Sequence, residues 1–129
     1  MKIEHIAIWT KDLERLRAFY MRYFGMASNE KYINPKKGFS SYFLSMKGEN
    51  TRLEIMHNDC IKEHLGTEDR VGITHLAFSV GSRMKVDEMT EKFRKEGYEV
   101  FGEPRITGDG YYESVILDPD GNKLELVAE

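Results

Sequence analysis

The sequence predicts an α+β fold of two tandem βαβββ modules, their strands forming a curved mixed sheet around a metal-binding cavity. Three observations carry this prediction. The chain is written twice: Ile3-Glu4-His5-Ile6-Ala7-Ile8 is matched by Ile73-Thr74-His75-Leu76-Ala77-Phe78, and Arg52-Leu53-Glu54-Ile55-Met56 by Lys123-Leu124-Glu125-Leu126-Val127. Each copy keeps one histidine near its start and one glutamate near its end. The histidines stand 70 positions apart and the glutamates 71. Finally, 129 residues suit a single domain 1–129 assembled from two half-domain repeats. Module 1 covers 1–57, a connector 58–70, and module 2 covers 71–129.

The elements follow from local pattern. Residues 2–8 alternate, with His5, Ala7 and then Trp9 on one face and Ile6 and Ile8 on the other, which is a half-buried strand. Thr10 or Asp12 can cap the next helix, because a short oxygen-bearing side chain satisfies free N–H groups of the first turn. Leu13, Leu16, Phe19 or Tyr20, and Tyr23 or Phe24 recur at helical spacing, and Gly25 suits the stop. Three short strands follow, separated by the turn-forming stretches 34–38 and 47–50, and the last of them, 51–56, carries Glu54. The connector is polar, without strand alternation, and is expected to hold a short helix around 61–65.

The pattern then restarts. A strand is expected over 73–80, with Ser82 as cap of a helix over 83–96 that places Val86, Met89 and Phe93 on one face and ends at Gly97. Strands are expected near 98–101 and 111–117. The turn Asp118-Pro119-Asp120-Gly121 leads into the last strand, 123–127.

Composition excludes several classes of function. The net charge is −3, and the pair Lys36-Lys37 and the scattered Arg83 and Lys85 form no basic cluster, so no nucleic-acid partner is expected. No apolar run approaches the ~18 residues that span a bilayer, and the N-terminus has no signal-peptide core. The single Cys60 can form no internal disulfide, which points to a reducing compartment, the cytoplasm. Cys60 itself reads as a half-buried connector residue, and His57 and His64, off the repeat register, as surface residues. Gly108-Asp109-Gly110-Tyr111-Tyr112-Glu113 reads as a loop entering a strand, with Tyr112 facing the cavity. It is not a phosphate loop, because no helix follows it.

Alternation puts His5, Glu54, His75 and Glu125 on strand faces opposite the large aliphatic residues. A lone histidine or glutamate on a strand is ordinary. Its repetition at the same place in both copies favours a shared metal ion as the explanation. Two neutral imidazoles and two carboxylates balance the charge of a divalent cation. The mixed nitrogen and oxygen donors suit Ni²⁺ or Zn²⁺, and also Co²⁺ or Mn²⁺.

The duplicated pattern, the Asp12-Leu13…Phe19-Tyr20…Phe24-Gly25 helix and the closing Leu117-Asp118-Pro119-Asp120-Gly121-Asn122-Lys123-Leu124-Glu125-Leu126 segment resemble the vicinal oxygen chelate superfamily over nearly the whole chain. The resemblance implies the glyoxalase/bleomycin resistance/dioxygenase fold. Its two-His, two-Glu branch is similar to glyoxalase I, the lactoylglutathione lyase, which implies His5, Glu54, His75 and Glu125 as metal ligands. Ring-cleaving dioxygenases of this superfamily use two histidines and one carboxylate, so Glu54 as a fourth ligand argues against oxygen chemistry. The resemblance implies a lyase or isomerase that chelates two neighbouring oxygens of a small molecule, such as a thiol adduct of a 2-oxoaldehyde, with Glu125, or Glu54 by pseudo-symmetry, as the base. It also implies a homodimer.

The chain departs from the glyoxalase I pattern at one position and partly matches it at another. Trp9 stands where many glyoxalase I sequences carry an arginine that helps hold glutathione, and is expected either as an aromatic wall of the pocket or in core packing. Asn58 stands where the family often has an asparagine contacting the thiol cofactor. The chain stops at Glu129, soon after the last ligand strand, with no tail expected to supply basic groups. Two alternatives remain open: a transferase or epimerase using the same metal, and a metal-free module that binds small molecules such as antibiotics.

Overall fold

The computed structural model describes residues 1–63 and 71–129. They fall into two compact units. Among the described residues no helix is long and apolar enough to cross a membrane.

The first unit opens with strand β1 (His5–Trp9), followed by helix α1 (Leu13–Phe24). Asp12, rather than Thr10, caps the helix, its carboxylate accepting from the Arg15 N–H at 2.9 Å. Gly25 ends it in the left-handed region (φ 63°), which a side chain would disfavour. Strands β2 (Ala27–Ser28), β3 (Tyr32–Asn34), β4 (Phe39–Ser45) and β5 (Arg52–Asn58) complete the sheet, with a 3₁₀ turn at Pro35–Lys37. β1 runs parallel to β5, β5 antiparallel to β4, and both β2 and β3 pair with the far edge of β4. These two short pieces are one edge strand interrupted at Asn29. There the side-chain oxygen of Asn29 accepts from the Phe43 N–H at 2.8 Å, while its backbone N–H donates to the Phe43 carbonyl.

The second unit repeats this plan with strand β6 (His75–Gly81), helix α2 (Arg83–Lys95), and strands β7 (Val100–Ile106), β8 (Tyr112–Leu117) and β9 (Lys123–Ala128). β6 runs parallel to β9, and the remaining pairs are antiparallel. Ser82 caps α2 through the Lys85 N–H. The edge strand is again irregular: the β7–β8 register shifts twice, around Gly102 and Pro104, where proline has no N–H to pair.

Each helix covers one face of its own sheet. Leu16 and Tyr20 are fully buried in the first unit together with Leu44 and Ile55; Val86 and Phe93 are buried in the second with Ile116, Leu124 and Leu126. The buried Thr90 hydroxyl donates to the Val86 carbonyl and takes the Ser114 hydroxyl as its donor, each at 2.7 Å, which fixes α2 over β8. The apolar faces expected from alternation are therefore the helix-covered ones.

Two features differ at the connector. β5 extends through Asn58, so His57 belongs to a strand; it is half-buried, with its Nδ1 2.9 Å from the Thr10 carbonyl. Of the helix expected around 61–65, residues 61–63 are not helical, and 64–65 lie outside the described residues, as does His64.

Candidate metal centre

Parallel pairing of each module's first and last strands determines where the repeated residues stand. In the first unit Ala7 is the register partner of Glu54 and His5 of Arg52; in the second, Ala77 is the partner of Glu125 and His75 of Lys123. Partners in register share a face, so each histidine lies diagonal to its own glutamate, opposite the helix. The imidazole Nε2 of His5 is 3.7 Å from Glu54 Oε2, and that of His75 is 3.2 Å from Glu125 Oε2.

The His75–Glu125 pair is close to the spacing of neighbouring ligands, and the His5–Glu54 pair is wider. Two donors at right angles, each about 2.1 Å from an ion, stand about 3.0 Å apart. Both carboxylates are largely shielded, with side chains 15% and 19% exposed, whereas each imidazole is 40% exposed. Among the described residues neither glutamate is paired with lysine or arginine. A shielded carboxylate lacking a cationic partner is costly unless a positive charge joins it. Each pair therefore offers a divalent ion one nitrogen and one oxygen donor. Among the described residues no three His, Cys, Asp or Glu side chains gather into one cluster, and each unit by itself brings together one imidazole–carboxylate pair.

The other imidazole nitrogen is engaged by the preceding residue in both units. Nδ1 of His5 bonds the carboxylate of Glu4, and Nδ1 of His75 lies 2.8 Å from the Thr74 hydroxyl. The second oxygen of Glu4 takes the Arg52 guanidinium. Hydrogen bonds from His5 and then Arg52 hold the Glu4 carboxyl below the ordinary carboxylate range.

The remaining expected site residues divide. Trp9 shares the His5 face, is 48% exposed and meets Phe39 edge-on at 6.1 Å. Asn58 is on the Glu54 face at the end of β5, but its side-chain oxygen accepts from the Cys60 N–H at 2.9 Å and so caps the following turn. Cys60 is exposed. Tyr112 stands on the helix side of β8, not with His75 and Glu125: its hydroxyl donates to Asp87 of α2 at 2.7 Å. Glu113, one step away, shares the site face of β8 with Val115, because Val115 is the register partner of Glu125 and Glu113 that of Val127. Burial pushes the Glu113 carboxyl above the ordinary range, the Glu125 charge adds to this, and Arg105 opposes it. Strand alternation read backward from the Glu125 partner would have found Glu113.

Comparisons with known proteins agree with this architecture. The family model described as Glyoxalase/Bleomycin resistance protein/Dioxygenase superfamily matches residues 2–126. The chain is 33% identical to the uncharacterized protein YqjT of Bacillus subtilis, over 98% of each chain. It is 30% identical to the lactoylglutathione lyase of Escherichia coli O157:H7, over 100% of this chain and 93% of that one. Among solved structures, a glyoxalase family protein from Enterococcus faecalis superposes with a TM-score of 0.80 at 25% identity, covering 98% of this chain and 96% of that one.

Proposed function

Since the chain belongs to the Glyoxalase/Bleomycin resistance protein/Dioxygenase superfamily, we propose that it is a metal-dependent isomerase of glyoxalase I type. In this reading His5, Glu54, His75 and Glu125 ligate one divalent cation, Ni²⁺ or Zn²⁺ before Co²⁺ or Mn²⁺. The observation that carries it is the repeated imidazole–carboxylate pair, found in both units with neither glutamate paired to lysine or arginine among the described residues. The near-full-length likeness to a lactoylglutathione lyase supports the choice of chemistry.

A divalent ion bound there supplies the positive charge that stabilises negative charge developing on two neighbouring oxygens of the substrate. The protein supplies the proton transfer. Glu125, with Glu54 as its pseudo-symmetric counterpart, takes the proton from the hydroxyl-bearing carbon and returns it to the adjacent carbonyl carbon, while the hydroxyl proton passes to the former carbonyl oxygen, so an α-hydroxy acyl product forms without external oxidant or reductant. Glu113 is a second carboxyl on the Glu125 face, and burial together with the Glu125 charge disfavours its ionisation. Trp9 and Asn58 border the substrate. Homodimerisation and a cytoplasmic location belong to the same proposal.

The test is isomerisation of 2-oxoaldehyde adducts of a panel of thiols by metal-loaded protein, followed by ultraviolet absorbance. Activity is expected to vanish with a chelator and return with metal. With Trp9 in place of a cationic residue, the glutathione adduct is expected to be a poor member of the panel. Trp9→Arg should raise kcat/KM for that adduct about tenfold, the worth of one charge-assisted hydrogen bond. No turnover of any adduct by fully loaded protein would reject the isomerase; turnover of acyl-thioester or antibiotic substrates instead would favour an epimerase or transferase on the same ion.

A further inference from the structure

The outer contacts of the two histidines are alike in position and unlike in chemistry. In each unit the residue just before the histidine occupies Nδ1, leaving Nε2 toward the glutamate. Before His5 that residue is a carboxylate, and before His75 it is a hydroxyl. An ionised carboxylate only accepts, so it requires the proton on Nδ1 and leaves the Nε2 lone pair free to bind a metal. A threonine hydroxyl donates or accepts, and therefore selects neither tautomer of His75.

Glu4 is exposed, and a lone exposed contact of this kind would hold weakly. It is not alone, however. Arg52 is the register partner of His5 on the neighbouring strand and bonds the other Glu4 oxygen. The Arg52 guanidinium lies over the Phe43 ring at 4.0 Å, and Phe43 meets the His5 ring edge-on at 5.5 Å. Glu4, His5, Phe43 and Arg52 thus form a closed circuit in which each member restrains the next. In the second unit the equivalent Lys123 lies over Phe101 at 4.5 Å, but the residue before the histidine has no carboxylate to close the circuit.

We propose that Glu4, clamped by Arg52, is a positioning residue that fixes His5 as its Nδ1–H tautomer and makes the first module's imidazole the stronger of the two metal ligands. The inference rests on the reading that His5 ligates the ion. It implies an order among the half-sites: the His5–Glu54 pair is prepared before metal arrives, whereas His75 must settle its tautomer on binding. Carboxylate–imidazole–metal triads elsewhere lose about 10- to 100-fold in metal affinity when the outer carboxylate is removed. A comparable loss is expected here.

The experiment has a metal-free and a metal-bound arm, both on the full chain. Long-range ¹H–¹⁵N correlation spectra of the apoprotein report each histidine's tautomer. Competition between the protein and a chromophoric chelator for Zn²⁺ gives Kd. Wild type is expected to show His5 as one tautomer protonated at Nδ1. Glu4→Gln, whose amide accepts or donates, should give a tautomer mixture and a Kd raised about 10- to 100-fold at unchanged melting temperature. Glu4→Asp should restore part of both, and Thr74→Val should change Kd less than Glu4→Gln does. Retention of a single His5 tautomer and an unaltered Kd in Glu4→Gln would overturn the proposal. His5→Ala separates the two levels. If it abolishes Zn²⁺ binding while Glu4→Gln leaves Kd unchanged, only this inference fails; if His5→Ala itself binds Zn²⁺ as wild type does, the ligand assignment fails and the proposal with it.

Discussion

Glu125→Ala is expected to lower turnover of the best thiol adduct by about a thousandfold, because it removes a proposed ligand and the proposed base together. Glu125→Gln separates these roles: an amide oxygen can still coordinate weakly, but it cannot take up a proton. Turnover of Glu125→Gln should therefore fall nearly as far as that of Glu125→Ala while more of the metal is retained. The matching pair at Glu54 identifies the base. If Glu54→Gln keeps most of the activity and Glu125→Gln does not, Glu125 is the base; the reverse result transfers the role to Glu54. Metal content and kcat measured on the same preparations decide the matter. None of the four variants should unfold the protein, since each glutamate stands on the face opposite the helix-covered core.

Asp118→Ala should be the most damaging single change for stability outside the apolar core, at about 3 kcal/mol by chemical denaturation. Asp118 is buried at the β8–β9 turn, where one carboxylate oxygen accepts from the backbone N–H groups of Asp120 and Asn122, each at 2.9 Å, and the other from the Asn122 side chain at 2.8 Å. Alanine leaves these donors without their charged acceptor. The turn also sets the β8–β9 register, and Glu125 lies three residues beyond Asn122. The damage should therefore reach the site, appearing as weaker metal binding at temperatures where the variant is still folded. Asp118→Asn should cost less, because one carbonyl oxygen remains for the two backbone donors, while its NH₂ opposes that of Asn122. Equal stability of all three proteins would refute this role.

The repeat made much of the site legible in the sequence. Period-two alternation assigns a face to every residue of a strand, so the positions of His5, Glu54, His75 and Glu125 relative to the aliphatic rows could be read without coordinates. Both helix caps were legible for the same local reason. Legibility failed where one residue of register decides a face: Tyr112 and Glu113 exchange places if the strand is counted from the loop rather than from the Glu125 partner. It failed too where a side chain substitutes for backbone, as Asn29 does at the interrupted edge strand, because no periodicity records that bond. His57 reads as a surface residue rather than a strand residue because a polar residue at a strand end has no pattern beyond it. The Nδ1 contacts of Glu4 and Thr74 escaped for a further reason: the strands expected over 2–8 and 73–80 include both residues and alternation turns them away from the histidines, whereas the observed strands begin at His5 and His75.

The proposal that both half-sites serve a single ion is tested most directly by stoichiometry. Protein purified without chelators, saturated with Zn²⁺ or Ni²⁺ and freed of excess metal, should contain one ion per chain by elemental analysis. Alanine at either histidine should remove that ion rather than half of the total. Two ions per chain, each lost separately with its own histidine–glutamate pair, or no retained ion at all, would contradict it.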